Sequence, residues 1–390
     1  MPAFLILSSA PVIEAPRREA ILDVAFVEGM KLVCVFWPGR VRCALRRSGA
    51  AIPGGMRFSP RRLGFELIVQ DPHEPVSAVL VEEANLVLCA GDDRHNLYLP
   101  TLAKGRLTRV VYTLESSLFQ GISRIWASHR PLGQRLGSAL RMVRDEAALR
   151  SALRQADGVQ LNGYAAWRSY RKLNPNSLMY LENRVRTPML SRAGDQRARA
   201  DRLRSGAPMT LVHLGGLDAD TGALDLLQAA YLLKARGVAF RLAFLGTGAL
   251  ESRLADGIAA LGLRAEVSLD GAMDFDSQIV PLLRARADLL LCARRRGDPL
   301  SLYLEAMSLG VPVLGYANPM WRRLQADSDG GWTCRTGRVS ALAAMLARLD
   351  GEREAVVRAS ARALDFARAH AFEPLFARRM AHLRETAGVE

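Results

Sequence analysis

Short apolar runs alternate with stretches of helical spacing along most of the chain. Ala3-Phe4-Leu5-Ile6-Leu7-Ser8 reads as a first strand, ended by the small-residue loop Ser9-Ala10-Pro11. Apolar runs at 32–37, 65–69, 86–90 and 110–115 predict further strands. A helical pattern covers 146–156, followed by a strand and loop at 156–163, a short helix at 164–170 and an edge-like segment at 179–184. From 209 the alternation becomes regular. Strands are expected at 209–214, 240–245, 266–269, 287–292 and 311–314, with helices at 222–236, 250–261, 275–285 and from 299. Helices at 340–349 and 352–370 and a last segment at 372–386 complete the pattern. Such alternation predicts α/β structure with parallel, doubly wound sheets.

Composition narrows the class. The 390 residues are enough for two separate cores, and 49% hydrophobic with 24% charged residues is ordinary globular usage. The five cysteines (34, 43, 89, 292 and 334) form no C-x-x-C pair and read as reduced thiols without a zinc site. The six histidines form no H-E-x-x-H or similar cluster, so no metal is expected. The net charge of +14 favours anionic partners. No helix-turn-helix, RRM or zinc pattern accompanies it, which argues against nucleic acid. No apolar run is long enough to span a bilayer, and the N-terminus lacks the pattern of a signal peptide. The expected location is the cytoplasm, with any contact to an anionic membrane peripheral. The segment 39–62, rich in Gly and in Arg46, Arg47, Arg61 and Arg62, reads as basic loops facing either solvent or such a surface.

Candidate chemistry gathers in one stretch, from the apolar run 287–292 through the loop Arg294-Arg295-Arg296-Gly297-Asp298 to a helix carrying Glu305. Pro299 suits the first turn of that helix, and Gly310 ends it. In an open α/β sheet, ligands sit beyond the carboxyl ends of the strands, where helix N-termini favour anions. A carboxylate there, Glu305 or Asp298, can accept hydrogen bonds from a ribose diol, or it can simply be solvated. Arg294, Arg295 and Arg296 suit bidentate phosphate contact or a solvated loop. In the first half, Asp92, Asp93, His95 and Glu115 follow the strands 86–90 and 110–115, where loop acids also commonly cap helices.

Glu305-Ala306-Met307-x-x-Gly310-x-Pro312-Val313, continued by Gly315, Tyr316, Asn318 and Trp321, resembles the donor-site signature of retaining GT-B glycosyltransferases. The type is family 4, or "group 1", in its bacterial polysaccharide-synthesis subgroup. The resemblance runs from about 211 to 371. It implies two Rossmann-like domains facing a central cleft: 1–189 on the acceptor side, a polar linker at 190–208 and a donor domain at 209–371. The segment 372–390 would cross back to the first domain. The implied reaction moves a sugar from a UDP- or GDP-sugar to a saccharide or lipid-linked saccharide, with no other cofactor. Glu305 would hold the ribose or donor sugar and Asp298 the sugar hydroxyls. Arg294, Arg295 and Arg296 would hold the diphosphate, and Gly215, Gly216 and Gly246 would shape the phosphate loops. Glu115 would act from the acceptor side.

The chain departs from the family pattern at three places. Gly216 and Thr221 stand where the family carries an Arg and a Lys on the diphosphate. The family's first acid falls at Gly297, with Asp298 one residue later. Two charge-assisted phosphate bonds, at ~1.5–3 kcal/mol each, are thereby missing. These departures support an alternative, a GT-B-like scaffold in a glycan-assembly complex.

Overall fold

The computed structural model describes every residue except 17–18, 53, 72–73, 128–130, 298–300 and 390. The chain divides into two compact units, one of Met1–Tyr180 with Phe376–Glu390 and one of Leu181–Leu375.

The first unit holds β1 (Ala3–Ala15), β2 (Glu19–Asp23), β3 (Arg40–Arg47), β4 (Gly55–Phe58), β5 (Glu66–Gln70), β6 (Leu86–Ala90), β7 (Arg109–Leu114), β8 (Gly158–Asn162) and β9 (Ser177–Tyr180). Seven of them form a parallel sheet in the order β5-β3-β1-β6-β7-β8-β9, while β2 and β4 extend β1 antiparallel. All of β8 is buried, as expected of a parallel strand covered on both faces.

Three expectations for this unit change. First, β1 does not stop at Ser9-Ala10-Pro11. Its register against β3 shifts between Leu7 and Pro11, and the strand resumes with Pro11 opposite Arg46. Residues 8–10 stand opposite Leu45 alone, so the strand absorbs two extra residues as an irregularity and continues. Second, residues 32–37 are not a strand. They end the helix Val24–Phe36, which Asp23 caps by accepting from Phe26 N at 2.8 Å. Val27 and Met30 bury one helical face, so packing and a cap override the β-like run. Third, the basic segment 39–62 is built around β3. Its Arg46 pairs with Asp93 at 3.0 Å.

The C-terminal helix Phe372–Ala387 lays Met380 and Leu383 into the first unit's core. Arg379 and Gln160 exchange two hydrogen bonds of 2.9 Å.

The second unit holds β10 (Met209–Leu214), β11 (Phe240–Leu245), β12 (Val267–Gly271), β13 (Leu289–Cys292), β14 (Val313–Tyr316) and β15 (Gly331–Cys334), all parallel. Their order, β12-β11-β10-β13-β14-β15, reverses direction between β10 and β13. Residues 190–208, expected as a linker, contain the helix Ala193–Arg204. It packs through a guanidinium rather than a leucine stripe. Arg199 is 1% exposed and donates to the carbonyls of Ala287, Leu283, Arg284 and Leu309 at 2.9–3.1 Å. Residues 275–285, expected as one helix, begin with a π-turn, Phe275–Ile279, before the helix Val280–Ala285.

Candidate functional site

The reversal between β10 and β13 is where an open parallel sheet leaves a crevice at its carboxyl edge. The loops from these two strands carry Gly215-Gly216 and Arg294-Arg295-Arg296. The first packs against the loop after β11, with Leu217 N donating to Thr247 O at 2.9 Å. Gly246 sits at φ +151°, and a Cβ there would lie 2.1 Å from the Gly215 carbonyl oxygen. Glycine is what lets these two loops touch.

Glu305 lies on the helix Ser301–Ser308 and is only 1% exposed. Its carboxylate accepts from Arg184 Nε at 2.9 Å and from Nη2 at 3.2 Å. The guanidinium also stacks 3.6 Å above the Phe275 ring. Next to it, buried Asn183 donates to Ser308 Oγ at 2.9 Å, so Asn183 and Arg184 bind the same helix three residues apart. The sequence places Asn183 and Arg184 in the closing segment of the first domain. In the structure they belong to the second unit.

The arginine loop is already supplied with acids. Arg294 and Arg296 approach Asp220 at 3.4 and 3.8 Å. Arg295 pairs with Asp225 at 2.9 Å, and the Tyr316 hydroxyl donates to the same carboxylate at 2.8 Å. The loop backbone is pinned by Asn318, which donates to Arg294 O at 3.1 Å and to the Tyr303 hydroxyl at 3.0 Å. Asn318 also caps the helix Pro319–Ser328 by accepting from Trp321 N at 2.9 Å. Asp298 lies outside the described residues.

Two positions explain what replaces the expected cations. Thr221 is 1% exposed and donates to Asp218 O at 2.8 Å, so its side chain serves the turn. Gly216 is half-buried, with only the Asp218 carboxylate within 3.5 Å of where its Cβ would be. His213, at the end of β10, is buried. Burial pushes its imidazole down to about 4, against the opposing carbonyls of Leu291 and Gly216. Neither its burial nor the Asp220 and Asp225 partners can be read from local pattern.

In the first unit the candidates separate. Asp93 caps a turn by accepting from His95 N at 3.0 Å, while His95 itself is exposed. Asp92 lines a cavity of about 420 Å³ beyond β6 and β7, together with Arg94, Asp145, Glu146 and Tyr170. Glu115 is exposed and is not among its lining residues. Tyr170 donates to Glu146 at 3.0 Å, and burial followed by that carboxylate raises its pKa above the usual tyrosine value. Tyr170 reads from its spacing as packing, and Glu146 as an ordinary helix residue.

Two parallel-sheet α/β units define the GT-B class of fold. A solved structure of Alr3699/HepE from Anabaena, in complex with UDP, superposes with TM-score 0.64 at 15% identity over 98% of both chains. Residues 195–364, within the second unit, match the family "Glycosyl transferases group 1". The chain is 30% identical over 149 residues to the putative colanic acid biosynthesis glycosyltransferase WcaL of Salmonella typhimurium, covering 36% of each. It is also 30% identical over 160 residues to the amylovoran biosynthesis glycosyltransferase AmsK of Erwinia amylovora, covering 38% of each. These matches span little more than a third of either relative. Among the described residues no group of His, Cys, Asp and Glu could hold a metal.

Proposed function

We propose that the chain is a retaining glycosyltransferase of bacterial polysaccharide synthesis. It takes a sugar from a UDP- or GDP-sugar and delivers it to a saccharide or lipid-linked saccharide. The observation that carries this reading is Glu305, a buried carboxylate on the helix that follows β13, within a segment matching the group 1 family. Glu305 accepts the ribose or donor-sugar hydroxyls once Arg184 yields, and Asp298 serves the sugar hydroxyls. Arg294, Arg295 and Arg296 and the helix N-terminus after them take the diphosphate charge. Gly215, Gly216 and Gly246 let the backbone come close. Catalysis is then largely electrostatic stabilisation of the departing diphosphate, needing no metal. The acceptor enters on the first unit, at the Asp92 cavity, with Glu115 nearby in sequence. In this reading the protein works in the cytoplasm, at the inner face of the membrane when the acceptor is lipid-linked.

A second reading, a GT-B scaffold without activity, is favoured by two observations. Thr221 is locked into its turn and the loop arginines already hold Asp220 and Asp225.

Calorimetric titration with UDP, GDP and ADP separates the two readings. The transferase reading expects micromolar binding of one diphosphate, lost in Glu305→Ala. Absence of binding to all three would overturn the transferase reading and favour the scaffold.

A further inference from the structure

We infer that the helix pair Leu118–Ala127 and Leu132–Gln155 docks the first unit onto an anionic phospholipid bilayer. The two helices pack closely, with a Cβ on Gly121 placed 2.5 Å from Met142 Sδ. Their inner sides contribute Ile125, Ser138, Arg141 and Met142 to the wall of the 420 Å³ cavity. Among the described residues their outer sides are open. Phe119, Trp126, Leu132, Leu136, Leu140 and Val143 are 44–77% exposed, against the burial expected of such side chains.

The pattern on the second helix is that of an interfacial helix. At 100° per residue, Leu132, Leu136, Leu140 and Val143 fall within an arc of about 80°. Arg135 and Arg144 flank that arc at either margin, about 60° before it and about 40° beyond it. Long basic side chains at those positions can reach headgroups while the leucines enter the acyl boundary. Arg144 is 75% exposed, with only a 3.6 Å approach to Asp145. Arg135 donates to Trp126 O at 3.3 Å and so ties the start of the second helix to the end of the first.

Charge selects the occupant. Arg135 and Arg144 flank the leucine arc and no Asp or Glu occurs in residues 118–144, while the next acids of the second helix, Asp145 and Glu146, line the cavity together with Arg141. An acid-free, arginine-bearing apolar face repels a second copy of itself and matches a negatively charged lipid surface. Among the described residues no helix is long and apolar enough to cross a membrane, so the attachment is peripheral. The surface stands on the first unit alone. That it presents a lipid-linked acceptor to the cavity behind it rests on the transferase reading above.

The test is sedimentation of the full-length protein with phosphatidylglycerol–phosphatidylcholine vesicles and with pure phosphatidylcholine vesicles. Expected are binding to the anionic vesicles that weakens with salt, and a more than about tenfold loss in Leu136→Glu/Leu140→Glu. Arg144→Gln should cost roughly fivefold. In the unmutated protein, brominated phosphatidylglycerol should quench tryptophan fluorescence, and Trp126→Phe should remove that quenching. Equal binding of the wild type and the glutamate variant, indifference to lipid charge, or a wild-type dimer dissolved by the glutamate variant would each overturn the inference. UDP, GDP and ADP titrations of the same preparation keep the two proposals apart. Vesicle binding without diphosphate binding removes only the transferase reading, and diphosphate binding without vesicle binding removes only the docking surface.

Discussion

Arg184 grips Glu305 with two parallel hydrogen bonds of 2.9 and 3.2 Å across 121 residues of sequence. The pair is asymmetric: the carboxylate is 1% exposed and the arginine side chain 56%. The energetic consequence therefore falls on Glu305, which has no water to turn to when Arg184 leaves. Arg184→Ala should lower unfolding free energy by about 1–3 kcal/mol, read from denaturant curves. Adding Glu305→Gln should recover part of that loss, giving a non-additive double-mutant cycle. Additive costs would show that the pair contributes nothing beyond its separate side chains.

Gly216 and Thr221 should respond oppositely to restoration of the family's cations. Gly216 is partly open, and only the mobile Asp218 carboxylate stands near a new Cβ, at 2.9 Å. Gly216→Arg should tighten diphosphate binding by about tenfold, a gain of one charge-assisted bond, measured by calorimetry. Thr221 is buried, so Thr221→Lys forces an ammonium into the turn and should cost about 2 kcal/mol or more of stability. An equally stable Thr221→Lys protein would contradict the placement of that side chain.

His213 should make stability pH-dependent. Folding lowers its pKa from 6.5 to about 4, because the buried ring resists charging. Its contribution is complete above pH 6.5 and is lost as the pH falls from there towards 4. The total loss is roughly 2–4 kcal/mol. Midpoints of urea unfolding at pH 7 and pH 5 should differ less in His213→Gln than in the unmodified protein.

Gly246→Ala should disrupt the contact between the loops after β10 and β11, since its methyl would lie 2.1 Å from a backbone oxygen. A drop of ~2 kcal/mol or more, with loss of diphosphate binding, is expected. Gly194→Ala is the control. It sits in the helix Ala193–Arg204 with open space around the position, and it should gain ~0.5–1 kcal/mol. Thermal melts of the two variants should therefore move in opposite directions.

The alternation from 209 onwards is legible where a parallel strand is a short apolar run, as in β13, whereas β15, Gly331-Trp332-Thr333-Cys334, has no such run and is not among the expected strands. β10 and β11 occupy the expected residues, 209–214 and 240–245. The helix bearing Glu305 is legible for a similar local reason, the glycine and proline that end it. Legibility fails where long-range partners replace local signals. Residues 32–37 look like a strand until Asp23 and the core under Val27 and Met30 make them the end of a helix. Residues 190–208 look like a linker because the helix there docks through Arg199, whose acceptors lie 84–110 residues away.

By itself the sequence determined α/β structure with parallel sheets and the helix that carries Glu305, since both follow from period and punctuation. Its short contiguous motif supplied the resemblance to the GT-B class. The burial of that acid came from tertiary structure. Tertiary structure alone decided the partners. It brought Arg184 to Glu305, Asp220 and Asp225 to the arginine loop, and Thr221 into its turn. It also left one arginine-flanked leucine face uncovered on the first unit. The physical reason is that hydrogen bonds and ion pairs depend on distance in space. A side chain's chemistry can be read from the chain, but what it meets depends on how the strands and helices pack.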